Sequence, residues 1–331
     1  MRTRILEVLR RKAPEAVSGE EISNSLGVSR TAIWKHIQVL KNNGYLIESL
    51  PKKGYILRSS PDSIRPEEIL TRLKTKWLGR EIHYEDSVVS TNEVAKKLAN
   101  AGCNDGLLCV AEEQVGGKGR LARGWFSPYA QGLWFSIVLK PPFLPEEAAK
   151  CTLLAAVAVV RAVHEYTGVD AGIKWPNDIL FGGKKLVGIL TEMNAEFGHI
   201  NYVVIGIGIN IKIKTVDLPP ELQDIVASLA AIAQQDIKRA ELLALILQNM
   251  EELYEMVLKE GFAPVFAQWR KWSVTLGKDV KVIAPAETYE GRAVDIDEEG
   301  LLIVRRSDGN LVKVIAGDVS IRATDAKGGK Y

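Results

Sequence analysis

The chain has 331 residues, 47% of them hydrophobic and 25% charged, with a formal net charge of +2. This is a globular balance with length for two or three domains, and it excludes a disordered or collagen-like chain. The charge is unevenly spread: residues 1–58 carry 11 Lys/Arg against 5 Asp/Glu, a basic head on a mildly acidic body. Such a head suits a polyanion partner, or is simply a solvated face. Three cysteines, Cys103, Cys109 and Cys151, with no C-x-x-C pair, argue against a disulfide framework or a zinc site. Buried thiols and a cytoplasmic location are expected. The N-terminus MRTRILEVLRRKAP has no apolar signal core, and the apolar run Cys151–Val160 stops at Arg161. That is short of the roughly 20 residues a membrane helix needs, so no membrane partner is expected.

In chain order, Ile5, Leu6, Val8 and Leu9 give residues 2–12 one apolar helical side, ended by Pro14. Ser18 and Glu21 have capping-box spacing for a helix running to Leu26, with Gly27 as its left-handed terminator. Ser29 caps a further helix over residues 30–43, closed by Gly44. Helix, short turn, helix is the helix-turn-helix pattern, and Arg30, Thr31, Trp34 and Lys35 fall where the second helix meets DNA. Two strand-like runs around Pro51-Lys52-Lys53-Gly54 form a hairpin whose lysines suit phosphates. The alternative is a three-helix protein-interaction module, with Trp34 anchoring the helix to its core. Residues 58–67, RSSPDSIRPE, read as an exit linker.

Beyond Pro66, helical and strand-like segments alternate in an α+β pattern with a mixed or antiparallel sheet. A strand leads into a helix capped by Thr91 or Asn92 and stopped at Gly102. LLCVAEEQ, GLWFSIVLK, LVGILTEM and NYVVIGIGINIKI are strands, and Glu146–Tyr166 is a long helix stopped by Gly168. Between the first two strands lies QVGGKGRLARGWFSP, residues 114–128. Its glycines let backbone N–H groups approach an anion, and Lys118, Arg120 and Arg123 add positive charge. Its length suits wrapping a ligand better than turning a hairpin, though a plain surface loop has the same composition. Neither a Walker A loop nor a G-x-G-x-x-G dinucleotide motif is present. In GIKWPNDILFGGKKLVGIL the proline must end a strand, which places Lys174, Asn177 and Asp178 at a strand end. Asp178 suits Mg²⁺ beside phosphates, or is a turn residue. Lys185 begins the next strand with Gly188 leaving room above it, or is a solvated strand end. Short strand signals over 274–323, with turns at Asp297–Gly300 and Ser307–Asn310, suit a small β-barrel.

SGEEISNSLGVSRTAIWKHIQVLKNNGY, Ser90-Thr91-Asn92, GGKGRLARGWFSP, KWPNDI, KLVGIL and GIGIN occur in this order over nearly the whole chain. Together they resemble the family of bifunctional biotin–protein ligases and biotin-operon repressors. The resemblance implies a winged helix-turn-helix at 1–62, a class-II-synthetase-like ligase domain with a mixed sheet at 63–273, and an SH3-like β-barrel at 274–331. It implies that biotin and ATP, with Mg²⁺, form biotinyl-5′-AMP. The biotin then passes to a lysine of biotin carboxyl carrier protein. With the adenylate as corepressor, a homodimer would bind operator DNA.

By the same resemblance Arg120, Lys185 and Lys174 are catalytic. Ser90, Thr91, Asn92, Gln114, Gly117, Lys118, Gly119 and Gly188 join Arg120 and Lys185 around biotin. Arg123, Trp125, Asn177 and Asn210 join Arg120 and Lys174 around ATP, and Asp178 holds the metal. The DNA-contacting set is Ser29, Arg30, Thr31, Trp34, Lys35, Lys52 and Lys53. Lys118 stands where many relatives carry arginine, and Ala122 where glycine is frequent. A repressor without ligase activity and a lipoate- or octanoate-handling ligase are the rival expectations.

Overall fold

A computed structural model describes residues 1–283, 287–315 and 320–323. Two compact units result: Met1–Leu73 with Lys238–Ala244, and the remainder of the chain.

In the first unit, α1 (Arg2–Lys12), α2 (Gly19–Leu26) and α3 (Arg30–Asn42) precede a hairpin of β1 (Leu46–Leu50) and β2 (Gly54–Ser59). Ser18 accepts from the Glu21 N–H at 3.0 Å and Ser29 from the Ala32 N–H at 3.2 Å, satisfying helix donors that would otherwise be orphaned. Gly27 ends α2 in the left-handed conformation at φ 68°. Ile5, Leu6, Leu9, Ile22, Ile33, Ile37 and Leu40 form the core. Trp34 lies outside it, 52% exposed, so it does not anchor α3 to the core.

The expected exit linker is no linker. Ile64 is fully buried, and α4 (Pro66–Leu70) buries Glu67 and Glu68. Arg10 and Arg72 each pair with Glu68, both at 2.5 Å. Asp62 receives the Arg239 guanidinium at 3.1 Å and the Arg239 backbone N–H at 3.0 Å. The charges of this stretch are instead neutralised by buried pairing, with Arg10 and Arg239 coming from far away in sequence.

The second unit is built on a seven-stranded sheet in the order β3-β4-β5-β9-β8-β7-β6. These strands are β3 (Ile82–Val88), β4 (Leu108–Gln114), β5 (Gly132–Leu139), β6 (Gly172–Lys174), β7 (Asp178–Phe181), β8 (Lys184–Glu196) and β9 (His199–Asn210). The β3–β4 pair is parallel and the rest antiparallel, the mixed sheet expected. Helix α5 (Thr91–Asn100) has Ser90 at its N-cap position, so Thr91 and Asn92 are its first helical residues rather than its cap. Their side chains are committed to the sheet instead of to the helix end. Helix α6 (Lys150–Thr167) starts later than expected, after a 3₁₀ turn at Pro145–Glu147, and Gly168 ends it. Helices α7 (Leu229–Ala233), α8 (Arg239–Glu260) and α9 (Ala263–Trp272) follow, with the first turns of α8 counted in the first unit.

The tail is a five-stranded antiparallel sheet in the order β13-β12-β11-β10-β14. It comprises β10 (Asp279–Ile283), β11 (Thr288–Ile296), β12 (Leu302–Arg306), β13 (Leu311–Val314) and β14 (Ser320–Ala323). The last stretch of the domain expected over 274–331, residues 324–331, lies outside the described residues. Trp175, 1% exposed, ties this tail to the large sheet: its backbone N–H reaches Thr275 Oγ1 at 2.9 Å and its Nε1 reaches the Gly300 carbonyl at 3.1 Å. Burying a side chain of this size contributes on the order of 2–3 kcal/mol. The three cysteines are unbridged, and burial pushes the Cys109 and Cys151 thiols up to about 12. No helix among the described residues is long and apolar enough to cross a membrane.

Candidate functional site

A cavity of about 610 Å³ opens over the face of the large sheet. Its floor follows the two-residue repeat of β9. Gly206 pairs across to Ser136 and Leu190, Gly208 to Trp134 and Gly188, and Asn210 to Gly132. These three inward positions span roughly 13 Å at the rise of a β-strand. The glycines are spatial requirements. A Cβ on Gly206 would overlap the Asn92 amide, and one on Gly208 the Trp125 indole.

At the Gly206 end the lining is polar. Ser90, Thr91 and Asn92 are at most 5% exposed. Gln114 Oε1 accepts from the Thr91 N–H at 2.9 Å, and Gln114 Nε2 donates to Ser127 Oγ at 2.9 Å. Around Gly208, Trp125 sits on Gly188 and Gly208, edge-on to Trp134 with ring centroids 6.4 Å apart. Its Nε1 is buried without a hydrogen-bond partner. Ile213, Leu218, Leu222 and Val226 extend this apolar wall.

At the Asn210 end, Lys185 Nζ lies 2.7 Å from Asp178 Oδ1 and 5.0 Å from the Trp125 ring centroid. The Lys185 backbone is clamped between Ile225 and Ala227, and its carbonyl accepts from Asn210 Nδ2 at 3.2 Å. Arg120 Nη1 donates to Asn177 Oδ1 at 3.2 Å, while Asn177 Nδ2 donates to the Ile189 carbonyl at 2.8 Å. Six cations line the cavity (Lys118, Arg120, Arg123, Lys174, Lys185 and Lys278) against one carboxylate, Asp178. That imbalance calls for an anionic ligand with several charges.

The glycine-rich loop departs from expectation. It is a narrow ribbon with a bridge between Lys118 and Gly124 and a 3₁₀ turn at Arg120–Ala122, so it does turn back as a hairpin. The Trp125 N–H donates to the Gly117 carbonyl at 2.8 Å and the Gly119 N–H to Arg123 at 2.7 Å. Lys118 Nζ reaches Glu93 at 3.0 Å, and hydrogen bonds from Lys118 and then Lys96 hold the Glu93 carboxyl below its ordinary value. Of the residues expected here, Ser90, Thr91, Asn92, Gln114, Lys118, Gly119, Arg120, Arg123, Trp125, Lys174, Asn177, Asp178, Lys185, Gly188 and Asn210 all line the cavity. Gly117 does not; it lies where the loop's arms meet.

Sequence reasoning missed Ser136, Lys96, Glu93 and Glu192. The lone serine in GLWFSIVL was the available signal, because a fully buried hydroxyl needs partners. In the head, Arg30, Thr31, Trp34 and Lys52 line a cleft between α3 and the hairpin. Ser29, Lys35 and Lys53 are exposed but outside it, with the Ser29 hydroxyl spent on the cap.

Residues 84–210 match the Biotin/lipoate A/B protein ligase family, residues 2–56 an HTH domain, and residues 275–322 the Biotin protein ligase C terminal domain. The Bacillus subtilis (strain 168) bifunctional ligase/repressor BirA is 39% identical over 321 residues, covering 97% of this chain and 98% of its own. The chain belongs to the family of bifunctional biotin ligase/repressors. A more distant member from Escherichia coli (strain K12) is 29% identical, over 93% of this chain and 94% of its own. The solved biotin protein ligase from Aquifex aeolicus in complex with biotin and ATP matches with a TM-score of 0.65 at 27% identity, covering 74% of this chain and 100% of its own. In the family's terms, the matched ligase segment 84–210 contains the glycine-rich loop, KWPND and the whole β9 floor.

Proposed function

We propose that the cavity joins biotin to ATP as biotinyl-5′-AMP, releasing pyrophosphate. The chain then transfers the biotin to a lysine of biotin carboxyl carrier protein. The observation that carries this reading is the graded cavity: a polar end at Thr91 and Gln114, an apolar middle, and a cationic end. Biotin has a polar ureido ring, an apolar tail and a carboxylate, in that order, and ATP supplies the polyanion.

In the first step a carboxylate oxygen of biotin attacks the α-phosphorus and the bond to pyrophosphate breaks. Two anions must meet, so electrostatic stabilisation is the main task. Arg120 and Lys185 hold the carboxylate and α-phosphate together, which also supplies proximity. Arg123 and Lys174 meet the leaving phosphates. Asn177, already oriented by Ile189 and Arg120, and Asn210, which buttresses Lys185, border the nucleotide. Gly117, Lys118 and Gly119 shape the loop over biotin, and Trp125 covers the ligands. A loop closing on the adenylate shields the mixed anhydride from water. In the second step a lysine ε-amine attacks the acyl carbon and AMP leaves.

Magnesium fits Asp178. This ion takes one or two carboxylates and completes its shell with phosphates and water, and Asp178 is the carboxylate that lines the cavity beside the cations. It would neutralise charge on the nucleotide phosphates.

The head carries the second activity: operator DNA binding by a homodimer, with the adenylate as corepressor. Arg30, Thr31 and Trp34 face base edges from α3, with Ser29 and Lys35 beside them, and Lys52 and Lys53 meet phosphates from the hairpin. Lys52→Ala should weaken binding at every sequence and lower the salt slope by about one. Loss confined to one base pair would move Lys52 to base reading. Linkage requires operator DNA to tighten adenylate binding in return. Equal affinities in calorimetric titrations with and without operator would remove the coupling.

Mass spectrometry after incubation with MgATP and either biotin or lipoate tests the ligase. Biotinyl-AMP with pyrophosphate supports the reading. Lipoyl-AMP alone would change the substrate class, and no adenylate with biotin still bound would leave a ligand-sensing repressor.

A further inference from the structure

Glu192 lies on β8 beyond the cavity lining, yet it touches the side chain at the cavity's polar end. Its Oε2 sits 2.8 Å from Asn92 Nδ2, and its Oε1 is held at 2.9 Å by Lys96 Nζ. Burial works against the charge on Lys96, but the hydrogen bonds it donates to Glu192 and Glu93 outweigh it and hold the ammonium above the ordinary lysine range. With one oxygen pinned by Lys96, the carboxylate keeps the other on Asn92.

An ionised carboxylate only accepts hydrogen bonds, and so does the Leu190 carbonyl 3.3 Å from the same Asn92 nitrogen. The two acceptors orient the Asn92 amide and use both of its N–H groups. Asn92 Oδ1 therefore faces Ser136 Oγ, 2.6 Å away. An amide oxygen cannot donate, so the single Ser136 hydrogen is committed to it. Ser136 Oγ is also 2.7 Å from Thr91 Oγ1, and there it can only accept. The other neighbour of the Thr91 hydroxyl, Gln114 Oε1 at 3.1 Å, is an acceptor too, since the Gln114 amide nitrogen is turned to Ser127. Gln114 Oε1 already accepts from the Thr91 N–H at 2.9 Å and Ser136 Oγ is the nearer, so the one Thr91 hydrogen goes into the wall along the chain, to Ser136. What the Thr91 hydroxyl keeps for the cavity is a lone pair.

We propose that Glu192, braced by Lys96, is a positioning residue that sets the direction of the Asn92–Ser136–Thr91 chain. The polar end of the cavity then accepts hydrogen bonds and selects a ligand head that carries N–H donors. The proposal rests on the ligase reading and deepens it. A ureido ring supplies such donors, whereas a dithiolane or plain alkyl end has none. A buried site arranged for an N–H discriminates strongly against analogues that lack it.

Binding is measured calorimetrically on the full chain, with biotin and with an analogue methylated on its ureido nitrogens. Glu192→Gln keeps the shape but can present either an oxygen or an NH₂ to Asn92, so the chain loses its set direction. The expected result is biotin binding weakened about 10-fold, with the methylated analogue unchanged, so that discrimination narrows. The KM for biotin should rise while kcat for adenylate formation stays within about twofold, as loss of uniform binding requires. Ser136→Ala breaks the same chain one link on, should show the same narrowing, and serves if Glu192→Gln does not fold.

Equal weakening of both ligands, or of neither, overturns the proposal while leaving biotin binding by the unaltered chain intact. If the unaltered chain binds neither ligand, the ligase reading falls first and the proposal with it.

Discussion

Lys185→Ala should lower the rate of adenylate formation by about 10²–10³-fold, the loss typical of removing one charge-stabilising donor from an active site. The case rests on how firmly this ammonium is placed. Its backbone is clamped between Ile225 and Ala227, Asn210 braces its carbonyl, and Asp178 holds Nζ at 2.7 Å. Gly188 leaves the side chain room beside Trp125. Lysine is thus held ready for charge that develops on the reacting oxygens. Biotin affinity in the absence of ATP should fall less than the rate does. Pyrophosphate release with MgATP and biotin reads the first quantity and calorimetry the second. A rate within tenfold of the unaltered chain would take Lys185 out of the chemistry and leave it as a partner of Asp178.

Glu68→Ala should destabilise the first unit by about 3 kcal/mol, at the lower end of what breaking a buried ion pair costs. The Glu68 side chain is 1% exposed and serves two guanidiniums, Arg10 and Arg72, at 2.5 Å each. Both arginines are partly exposed, at 25% and 21%, so water recovers some of their charge and the loss stays at the lower end. The readout is amide hydrogen exchange in α1 and α3, which should speed by roughly 10²-fold. A change below about 1 kcal/mol would show that the arginines are solvated well enough to do without the carboxylate.

What could be read ahead of the structure follows the range of the interactions involved. Ser18, Ser29 and Gly27 act within a few residues, and the helices they bound lie where the pattern placed them. The α+β alternation was legible from the apolar runs, and the mixed sheet and the cavity lining from the family resemblance that the ordered motifs carry. Three features were not legible, the first two because their partners lie far away in sequence. Residues 58–67 look like a solvated linker until Asp62 meets Arg239, 177 positions away. Thr91 and Asn92 look like helix caps until Ser136 and Glu192 engage them. The cationic loop gives no local turn signal strong enough to show that Lys118 bridges to Gly124. The alternating glycines of GIGIN carried a signal that went unread, because a missing Cβ at every second position of a strand marks something pressed close against it.

The pairing of Asp62 with Arg239 has a consequence for how this chain can be shortened. A cut at residue 62 or 63 is the obvious way to separate a DNA-binding head from an enzyme. It would leave Arg239, 1% exposed, without the carboxylate that takes its guanidinium and its backbone N–H, and would strip Asn43 and Arg10 from Glu67 and Glu68. The head is completed by a segment of chain that returns more than 160 residues later. It is therefore not a module detachable at residue 62 or 63, and a ligase freed of it would need Arg239, Glu67 and Glu68 replaced together by uncharged residues.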